Sequence, residues 1–430
     1  MSLVSTKLKP VTDSHLRDIA CTAGIRAFGM ALGFLTTLLL ARWLGVDGFG
    51  IYSYVAAWIA VSVALGAAGF ERLLVRNVPA YLSTDRLDLL AGVLRWSGLW
   101  GLWIALAAGA LTSLALAGRF SQSERLVDVA SIVAIVTLTV VMRLRQSTIR
   151  GFGHAVRSQV PENVILAGAE LAGLVGVAWL LHWRLNIGAV LCVYAVSACI
   201  AAIAASFYLK RTAPSNAAVP EFLPAEWRGA ALALTAVVGV GMLIDQVDVV
   251  VLGLMRSAHD VSLYSAADKG AALVGFPVNA AQLALAPIFA RQWASKDLRG
   301  LAETARRGAL LTSTASAVIV ALLLVPGPWF LSLFGPAFRG SCVILAILCA
   351  GQLVNAATGA VGSLLIMSNH ESVVARVNGV CLILNVVLAI VLIGRWGAVG
   401  AAVATAVVMA VRNLVFAWIA RRQLGGEAAV

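Results

Sequence analysis

The sequence has 430 residues, of which 61% are hydrophobic and only 12% are charged. Soluble domains are about 45–50% apolar and about 25% charged, so this composition excludes a soluble globular protein. The net charge of +12 comes from basic residues scattered between apolar runs. Nucleic-acid binding requires a continuous basic surface, and no nucleic-acid partner is expected.

Apolar runs recur along the chain and predict an all-α polytopic membrane protein. A bilayer core of roughly 30 Å needs about 20 apolar residues per helix. By that measure we predict twelve transmembrane helices, centred near Gly33, Ile59, Ile104, Ile135, Leu171, Ala198, Gly241, Phe276, Ile319, Leu353, Leu388 and Val408.

The distribution of Lys and Arg predicts the orientation. With the N-terminus inside, 21 basic residues fall in inner segments and seven in outer segments. This bias satisfies the positive-inside rule, so we expect an even number of spans and both termini in the cytoplasm.

An internal repeat divides the chain into two halves. Shifting the sequence by 212 residues places Phe49–Ser53 on Val261–Ser265 and Ile187–Ala189 on Val399–Ala401. Six spans per copy make the repeat parallel, with a substrate cleft between the lobes, as in transporters. We predict a six-helix lobe at 1–209, a cytoplasmic linker at 210–228 and a second six-helix lobe at 229–430.

Several charged residues fall inside the predicted spans. Such groups are costly in a bilayer and are expected to line a protein or water-filled cavity. They are Arg26, Arg72, Glu170, Asp245, Asp248 and Lys269. The alternative interpretation is structural, because Arg72 is close enough to the interface to snorkel and the deeper charges could pair with one another.

Asp245 and Asp248 are three residues apart and therefore share a helix face. Two carboxylates on one face predict a proton or cation site, with Glu170 as a further candidate member. Lys269 is the alternative, structural partner.

No enzyme active site is predicted. The histidines lie in terminal or loop segments without metal-ligand spacing, and no hydrolase or phosphate-loop motif is present. The six cysteines lie in or beside apolar runs and indicate buried side chains. We expect a transporter without a cofactor or metal.

Five segments of the sequence carry a family resemblance, namely Ile25–Leu35, Ala41–Tyr52, Gly69–Arg76, Ile149–His154 and Leu263–Ala266. They resemble segments of the bacterial polysaccharide transporters, which are the O-antigen and exopolysaccharide flippases of the multidrug/oligosaccharidyl-lipid/polysaccharide exporter superfamily. The resemblance covers nearly the whole chain, and its motifs are mostly structural.

The resemblance implies a flippase of the bacterial inner membrane. It would move undecaprenyl-diphosphate-linked oligosaccharide from the cytoplasmic to the periplasmic leaflet by ion-coupled alternating access, for O-antigen or exopolysaccharide biosynthesis. The expected partners are this lipid-linked oligosaccharide, membrane lipids, a proton or sodium ion, and the polysaccharide polymerase and chain-length proteins.

The residues agree with an anionic substrate. Arg26 and Lys269 are one basic residue from each half, and together with Arg72 they are the predicted substrate-binding residues. Asp245, Asp248 and Glu170 are the predicted ion-coupling residues.

Three alternatives stay open. A drug or cation exporter of the same superfamily would use the same acidic positions, but it would be expected to have fewer deep basic residues. A lipid II flippase usually has two additional spans, which are not predicted here. A membrane scaffold for glycan assembly would use the deep charges only for helix pairing.

Overall fold

The computed structural model describes residues 13–119, 125–180, 185–213 and 219–423, which form a bundle of long helices. Helices satisfy every backbone polar group within one segment, as a bilayer requires. A π-helical segment, Pro161–Leu166, joins the fourth helix to the fifth. In chain order the helices are α1 Asp13–Ser83, α2 Leu87–Leu116, α3 Arg125–Gly151, α4 Ala155–Val160, α5 Ala167–Leu180, α6 Ile187–Thr212, α7 Pro224–Met255, α8 Ala258–Ala294, α9 Leu298–Leu324, α10 Gly327–Ser332, α11 Cys342–Thr358, α12 Val361–Met367 and α13 Glu371–Gln423.

The two longest helices each contain two spans. Helix α1 has 71 residues and at 1.5 Å per residue would be roughly 105 Å long, far more than a bilayer. Its backbone breaks at Gly45 (φ 69°), and α13 breaks at Gly397 (φ 57°). Both angles lie in the left-handed region that glycine adopts without strain.

The predicted number of spans is confirmed. The described residues contain nine helices that are long and apolar enough to cross a membrane, or ten when the bent pair Pro224–Thr235 and Gly239–Met255 is counted as one span. Dividing α1 and α13 at their glycine breaks brings the total to twelve.

The helix boundaries repeat along the chain. Ser83 and Leu87, which flank the turn between α1 and α2, correspond to Ala294 and Leu298 between α8 and α9, 211 residues later. Asp85 and Lys296, which have positive φ angles in these two turns, are separated by the same interval. The parallel repeat predicted at an offset of 212 is therefore present in the architecture.

Successive spans alternate in direction, which defines two faces of the bundle. We call the face with the α1–α2 turn and the end of α6 the inner face, predicted to be cytoplasmic, and the opposite face, with Gly45 and Gly397, the outer face. Part of the predicted linker, 214–218, lies outside the described residues. Helix α6 reaches Thr212 and α7 already begins at Pro224, so both helices extend into the predicted linker range.

The outer ends of the two halves meet through an aromatic cluster. The Phe34 ring stacks on Phe330, with ring centroids 6.3 Å apart, and contacts the edge of Phe334 at 5.8 Å. The ring centroid of Phe49 lies 6.0 Å from that of Phe338. Four of these five rings are buried, so they form a continuous apolar contact between α1 and the segment around α10.

Backbone contacts reinforce this outer closure. The Arg42 Nε donates a hydrogen bond to the Leu333 carbonyl at 2.6 Å. Gly50 lies so close to α8 that a Cβ placed there would be 1.8 Å from the Ala258 carbonyl oxygen. The outer face is therefore closed between the two halves, and we call this contact the outer seam.

A second seam is closed near the inner face. Here the start of α7 packs against α2 and the second segment of α1. Trp227 is fully buried, and its indole N–H donates to the Tyr81 hydroxyl at 3.0 Å. Its ring also contacts Trp96, with centroids 5.8 Å apart. A Cβ at Gly69 would lie 2.3 Å from the Ala231 carbonyl oxygen. The start of α7 is thus packed firmly against the N-terminal half.

Candidate functional site

A cavity separates the two halves near the inner face. It lies between the first segment of α1, the region around the π-helical segment and the inner part of α8, and its volume is about 520 Å³. We call it the inner cavity. Residues from both halves line it, namely Ala23, Arg26, Gly29, Met30, Gln159, Glu162, Asn163, Phe276, Asn279, Ala280, Gln282 and Leu283.

Arg26 presents a positive charge to the inner cavity. Its Nε donates a hydrogen bond to the Gln159 Oε1 at 3.2 Å, and the Asn163 Nδ2 donates to the same oxygen at 3.2 Å. Among the residues that the structure describes, Arg26 forms no ion pair. Because its side chain is exposed to the cavity, the guanidinium is available to an anion there.

The π-helical segment shapes the cavity wall. π-Turns are rare and frequently occur at functional sites. A Cβ at Gly29 would lie 2.7 Å from the Asn163 backbone oxygen, so glycine is needed for α1 to pack directly on this segment. Arg26 lies one turn before Gly29, and this close packing therefore fixes the guanidinium beside Gln159.

Arg143 lies behind the cavity wall and binds two glutamates. Its Nη2 donates to the Glu162 Oε1 at 3.0 Å, and its Nη1 is 3.9 Å from the Glu71 Oε1. The Nε of Arg143 is buried without a hydrogen-bond partner. The pairing connects the end of the second span to α3 and to the π-helical segment.

A second arginine of α3 extends this basic group. Arg150 lies two turns beyond Arg143 and interacts electrostatically with both glutamates and with Arg26 and Arg72. Its Nε is also buried without a hydrogen-bond partner. Arg72 is exposed and does not line the inner cavity. The four arginines and two glutamates give this region, the arginine cluster, a net charge of +2.

In the sequence, Arg143 and Arg150 are two of the 21 inner basic residues that satisfy the positive-inside rule. Their spacing of seven residues places them on one face of α3. That spacing was the available signal, but it does not show that the face points to Glu71 and Glu162.

Lys269 lies on the same stripe of α8 as the cavity residues. Phe276 and Leu283 follow it at intervals of seven residues, or two turns each, and line the inner cavity. The side chain of Lys269 is exposed, about 10 Å farther toward the outer face than Phe276. Arg26 and Lys269 therefore occupy different levels between the halves, and Lys269 does not line the inner cavity itself.

The aspartates of α7 line a separate cavity inside the C-terminal half. Asp245 and Asp248 share it with Asp268 of α8, and its volume is about 240 Å³. Arg412 is the one basic residue in its lining. Three carboxylates against one guanidinium give this acidic cavity an excess of negative charge.

Neutral oxygen atoms complete the acidic cavity. Asp248 is 3% exposed, and its Oδ1 has no hydrogen-bond partner. Tyr264, Thr405 and Asn385 surround it, with the hydroxyls of Tyr264 and Thr405 2.9 Å apart. The Asn385 Oδ1 is likewise buried and unpartnered. Carboxylate, amide and hydroxyl oxygens are suitable ligands for a proton or a hard cation.

Glu170 lies in the other half, away from both aspartates. It interacts with Tyr52 and Tyr194. Tyr52 corresponds in the repeat to Tyr264, which lies beside Asp248. Each half thus holds an acidic residue against a repeat-related tyrosine, and the three predicted ion-coupling residues do not form one site.

Comparison with protein families gives two matches. The family model described as polysaccharide biosynthesis protein matches residues 15–293, about two thirds of the chain. The model described as MatE matches residues 236–391. No curated protein sequence matches the chain.

Solved structures of transporters have a similar fold. A multidrug resistance MATE family transporter of the MOP superfamily, in an inward-facing conformation, has a TM-score of 0.64 at 15% identity, over 91% of this chain and 95% of that one. The lipid II flippase MurJ, inward closed, has a TM-score of 0.65 at 12% identity, over 93% and 87%. A MOP superfamily transporter from Pyrococcus furiosus, reported with a binding pocket of reverse polarity, has a TM-score of 0.63 at 13% identity, over 96% and 97%.

Proposed function

The chain belongs to the polysaccharide biosynthesis protein family, and from this premise we propose that it is a flippase for an undecaprenyl-diphosphate-linked oligosaccharide. It moves this lipid from the cytoplasmic to the periplasmic leaflet of a bacterial inner membrane. One neighbour in fold is described as a lipid II flippase, so the fold is compatible with a lipid-linked substrate.

The observation that supports this proposal best is the excess of positive charge at the inner cavity, whose one acidic lining residue among those described, Glu162, is paired with Arg143. Arg26 faces the cavity without an ion pair in the described part of the chain. Behind it, the other buried members of the arginine cluster, Arg143 and Arg150, each have a buried Nε without a hydrogen-bond partner. A diphosphate offers several anionic oxygens, and charge-assisted hydrogen bonds to arginine are among the strongest in proteins. A cationic drug would be repelled at this position.

The asymmetry of the two faces supports alternating access. The aromatic cluster and the Gly50 contact close the outer face, while the inner cavity lies between the halves near the inner face. In this conformation the substrate headgroup enters from the cytoplasmic leaflet. Opening the outer seam and closing the inner cavity then releases it to the other leaflet. Lys269, farther along the same stripe of α8, receives the headgroup in this movement.

The acidic cavity supplies the ion coupling in this proposal. Asp245, Asp248 and Asp268 carry the charge that holds a proton or sodium ion, and Asn385 and Thr405 provide neutral oxygens. Because these residues come from α7, α8 and α13, an ion bound there changes how these helices pack against one another. This packing would couple ion binding to the movement of the C-terminal half.

The test is glycan export per folded molecule. In spheroplasts, a membrane-impermeant sugar label measures lipid-linked oligosaccharide in the periplasmic leaflet, and immunoblotting measures the protein. We expect Arg26→Ala to abolish export without loss of protein, since losing a charge-assisted contact weakens binding about ten- to a hundred-fold. The matched control is Arg306→Ala, which removes an exposed arginine that lines neither cavity.

The outcomes separate a flippase from a scaffold. If Arg26→Ala exports normally after correction for abundance, the inner cavity does not bind the substrate. If Arg26→Ala lowers abundance and export in parallel, Arg26 has only a structural role, as the scaffold alternative requires.

The acidic cavity favours one second candidate, an exporter of organic cations. The MatE model matches residues 236–391, which include Asp245, Asp248 and Asp268. Efflux of a fluorescent cation that is lost in Asp245→Asn, together with unchanged glycan export, would favour this candidate.

A further inference from the structure

A groove on the outside of the N-terminal half contains two arginines. It lies between α2, α3 and α6, with the end of α1 at its base, and its volume is about 540 Å³. No residue of the C-terminal half lines it. The groove shares no lining residue with the inner cavity or the acidic cavity, so it is a separate site. We call it the α2–α3 groove.

The charges of this groove have no acidic counterpart in its lining. Arg95 is exposed and forms no hydrogen bond or ion pair with any residue in the described ranges. Arg145 is half-buried; its Nη1 donates to the Ala202 carbonyl at 3.0 Å and to the Ser206 hydroxyl, both of which are neutral. The nearest acid along α2 is Asp88, two turns away, which is already bound to Arg86 at 3.1 Å.

Both arginines lie in the inner leaflet, a little deeper than the lipid phosphates. Arg95 is eight residues from the start of α2 at Leu87, and Arg145 is six residues from the end of α3 at Gly151. These positions are roughly 12 Å and 9 Å from the inner ends of the helices. Helix α2 has 30 residues, a length of about 45 Å that matches a bilayer with its headgroups.

The Arg95 side chain points toward the phosphates, whereas the Arg145 side chain reaches Ala202 and Ser206 of α6. Side chains on a helix lean toward its N-terminus, and the N-terminus of α2 is at the inner face, so Arg95 extends toward the headgroups. An unpaired guanidinium at this depth requires an anionic partner or water. The bilayer offers the phosphates of its lipids.

Apart from Ser97 and Thr148, the rest of the groove lining is apolar and suits an acyl chain. Leu94, Leu99, Leu102 and Val141 line it, and Leu99 is 58% exposed. Basic pockets between transmembrane helices on the cytoplasmic side are typical sites for anionic lipid headgroups. The structure therefore combines two unneutralised cations with an adjoining apolar channel.

We propose that the α2–α3 groove binds an anionic phospholipid of the inner leaflet. Its phosphate pairs with Arg95, Arg145 adds a second positive charge to the groove, and one acyl chain lies along the leucines of α2. The occupant is a bulk membrane lipid and not the transported substrate, because the groove faces away from the C-terminal half and does not connect to the cavity between the halves. Binding joins α2, α3 and α6 and stabilises the N-terminal half.

Native mass spectrometry of the purified full-length protein tests this site. Phosphatidylglycerol and phosphatidylcholine with identical acyl chains are titrated separately. We expect one phosphatidylglycerol to bind more tightly than phosphatidylcholine and to raise the melting temperature in detergent. Arg95→Gln should weaken this binding about tenfold, since it removes a charged contact, and Arg95→Lys should retain part of it.

The matched control uses the repeat. Arg307 is 212 residues after Arg95, at an equivalent depth in α9, but it is paired with Glu303 and lines neither cavity nor the groove. Arg307→Gln should leave phosphatidylglycerol binding unchanged. Since Arg95 has no partner in the described chain, Arg95→Gln should also melt at the wild-type temperature in lipid-free detergent.

Two results would overturn the proposal. One is a lack of specificity, seen either as equal affinity for the two phospholipids or as equal loss of binding in Arg95→Gln and Arg307→Gln. The other is displacement of the bound phosphatidylglycerol by equimolar undecaprenyl diphosphate, which would assign the groove to the substrate instead. Neither result depends on glycan export, so this proposal and the proposed function can fail separately.

Discussion

Substituting a single glycine should shift the conformational equilibrium of the transporter. Gly50 lies at the outer seam, where the second segment of α1 packs against the start of α8. A Cβ at this position would be 1.8 Å from the Ala258 carbonyl oxygen and 2.6 Å from its carbon. Both are backbone atoms, so no side-chain rotation relieves the clash.

The size of the effect follows from this geometry. Ordinary contact begins near 3.4 Å, so α1 and α8 must separate by about 1.6 Å at the seam. Overpacking in a close-packed interface costs about 1–3 kcal/mol. If the outer seam opens during transport, Gly50→Ala imposes this cost only on the conformation with the seam closed. The ratio of open to closed molecules should then rise about five- to 150-fold.

Distances between spin labels measure this ratio. Labels on the outer ends of α2 and α9 in the cysteine-free protein report whether the two halves separate at the outer face. We expect Gly50→Ala to populate a longer distance that is minor in the wild type. Gly253→Ala should act in the same direction, because its Cβ would lie 2.1 Å from the Tyr54 ring.

Gly33→Ala is the matched control on the same helix. A Cβ at Gly33 meets nothing within 4 Å, so this variant should have the wild-type distance distribution. If Gly50→Ala also keeps that distribution while the protein is folded, the outer seam is not a closed gate. If Gly50→Ala only lowers the melting temperature and populates no longer distance, the contact is structural.

Three further predictions follow from the charges. Asp248→Asn should abolish the dependence of glycan export on the ion gradient. If this dependence is unchanged even when Asp248→Asn is combined with Asp245→Asn, ion coupling lies elsewhere. Arg143→Met should lower the free energy of unfolding by about 1–3 kcal/mol because it leaves two partly buried carboxylates without their cation, and Glu162→Gln should partly restore it, as measured by thermal unfolding in detergent. A phosphatase fusion after Arg228 should be inactive because the linker is predicted to be cytoplasmic; an active fusion would contradict the predicted orientation.

The architecture could be predicted from sequence because hydropathy and charge act locally. All twelve predicted span centres fall within helices of the structure. The repeat was also detectable, since Tyr52 and Tyr264 keep their places relative to the turns. The span centres at Gly33 and Ile59 predict a break between them, but the sequence does not identify Gly45 as its position, because a left-handed glycine has no local pattern that distinguishes it from a packing glycine.

The residues of the candidate site were only partly predictable, for a physical reason. Asp245 and Asp248 were grouped because they lie three residues apart on one helix, and they do line one cavity. Grouping Glu170 with them required knowing which faces of distant helices meet, and the structure places it beside Tyr52 instead.

The role of the arginine cluster could not be predicted from the sequence for the same reason. Arg143 and Arg150 satisfy the positive-inside rule as counted charges, so the rule gives no reason to look further at them. Their role depends on Glu71 and Glu162, which reach them from α1 and from the π-helical segment. Two glutamates cannot neutralise four arginines, and the remaining charge lies beside the cavity between the halves. That excess is a property of three converging helices, and in the proposed function it supplies the positive field that attracts an anionic headgroup.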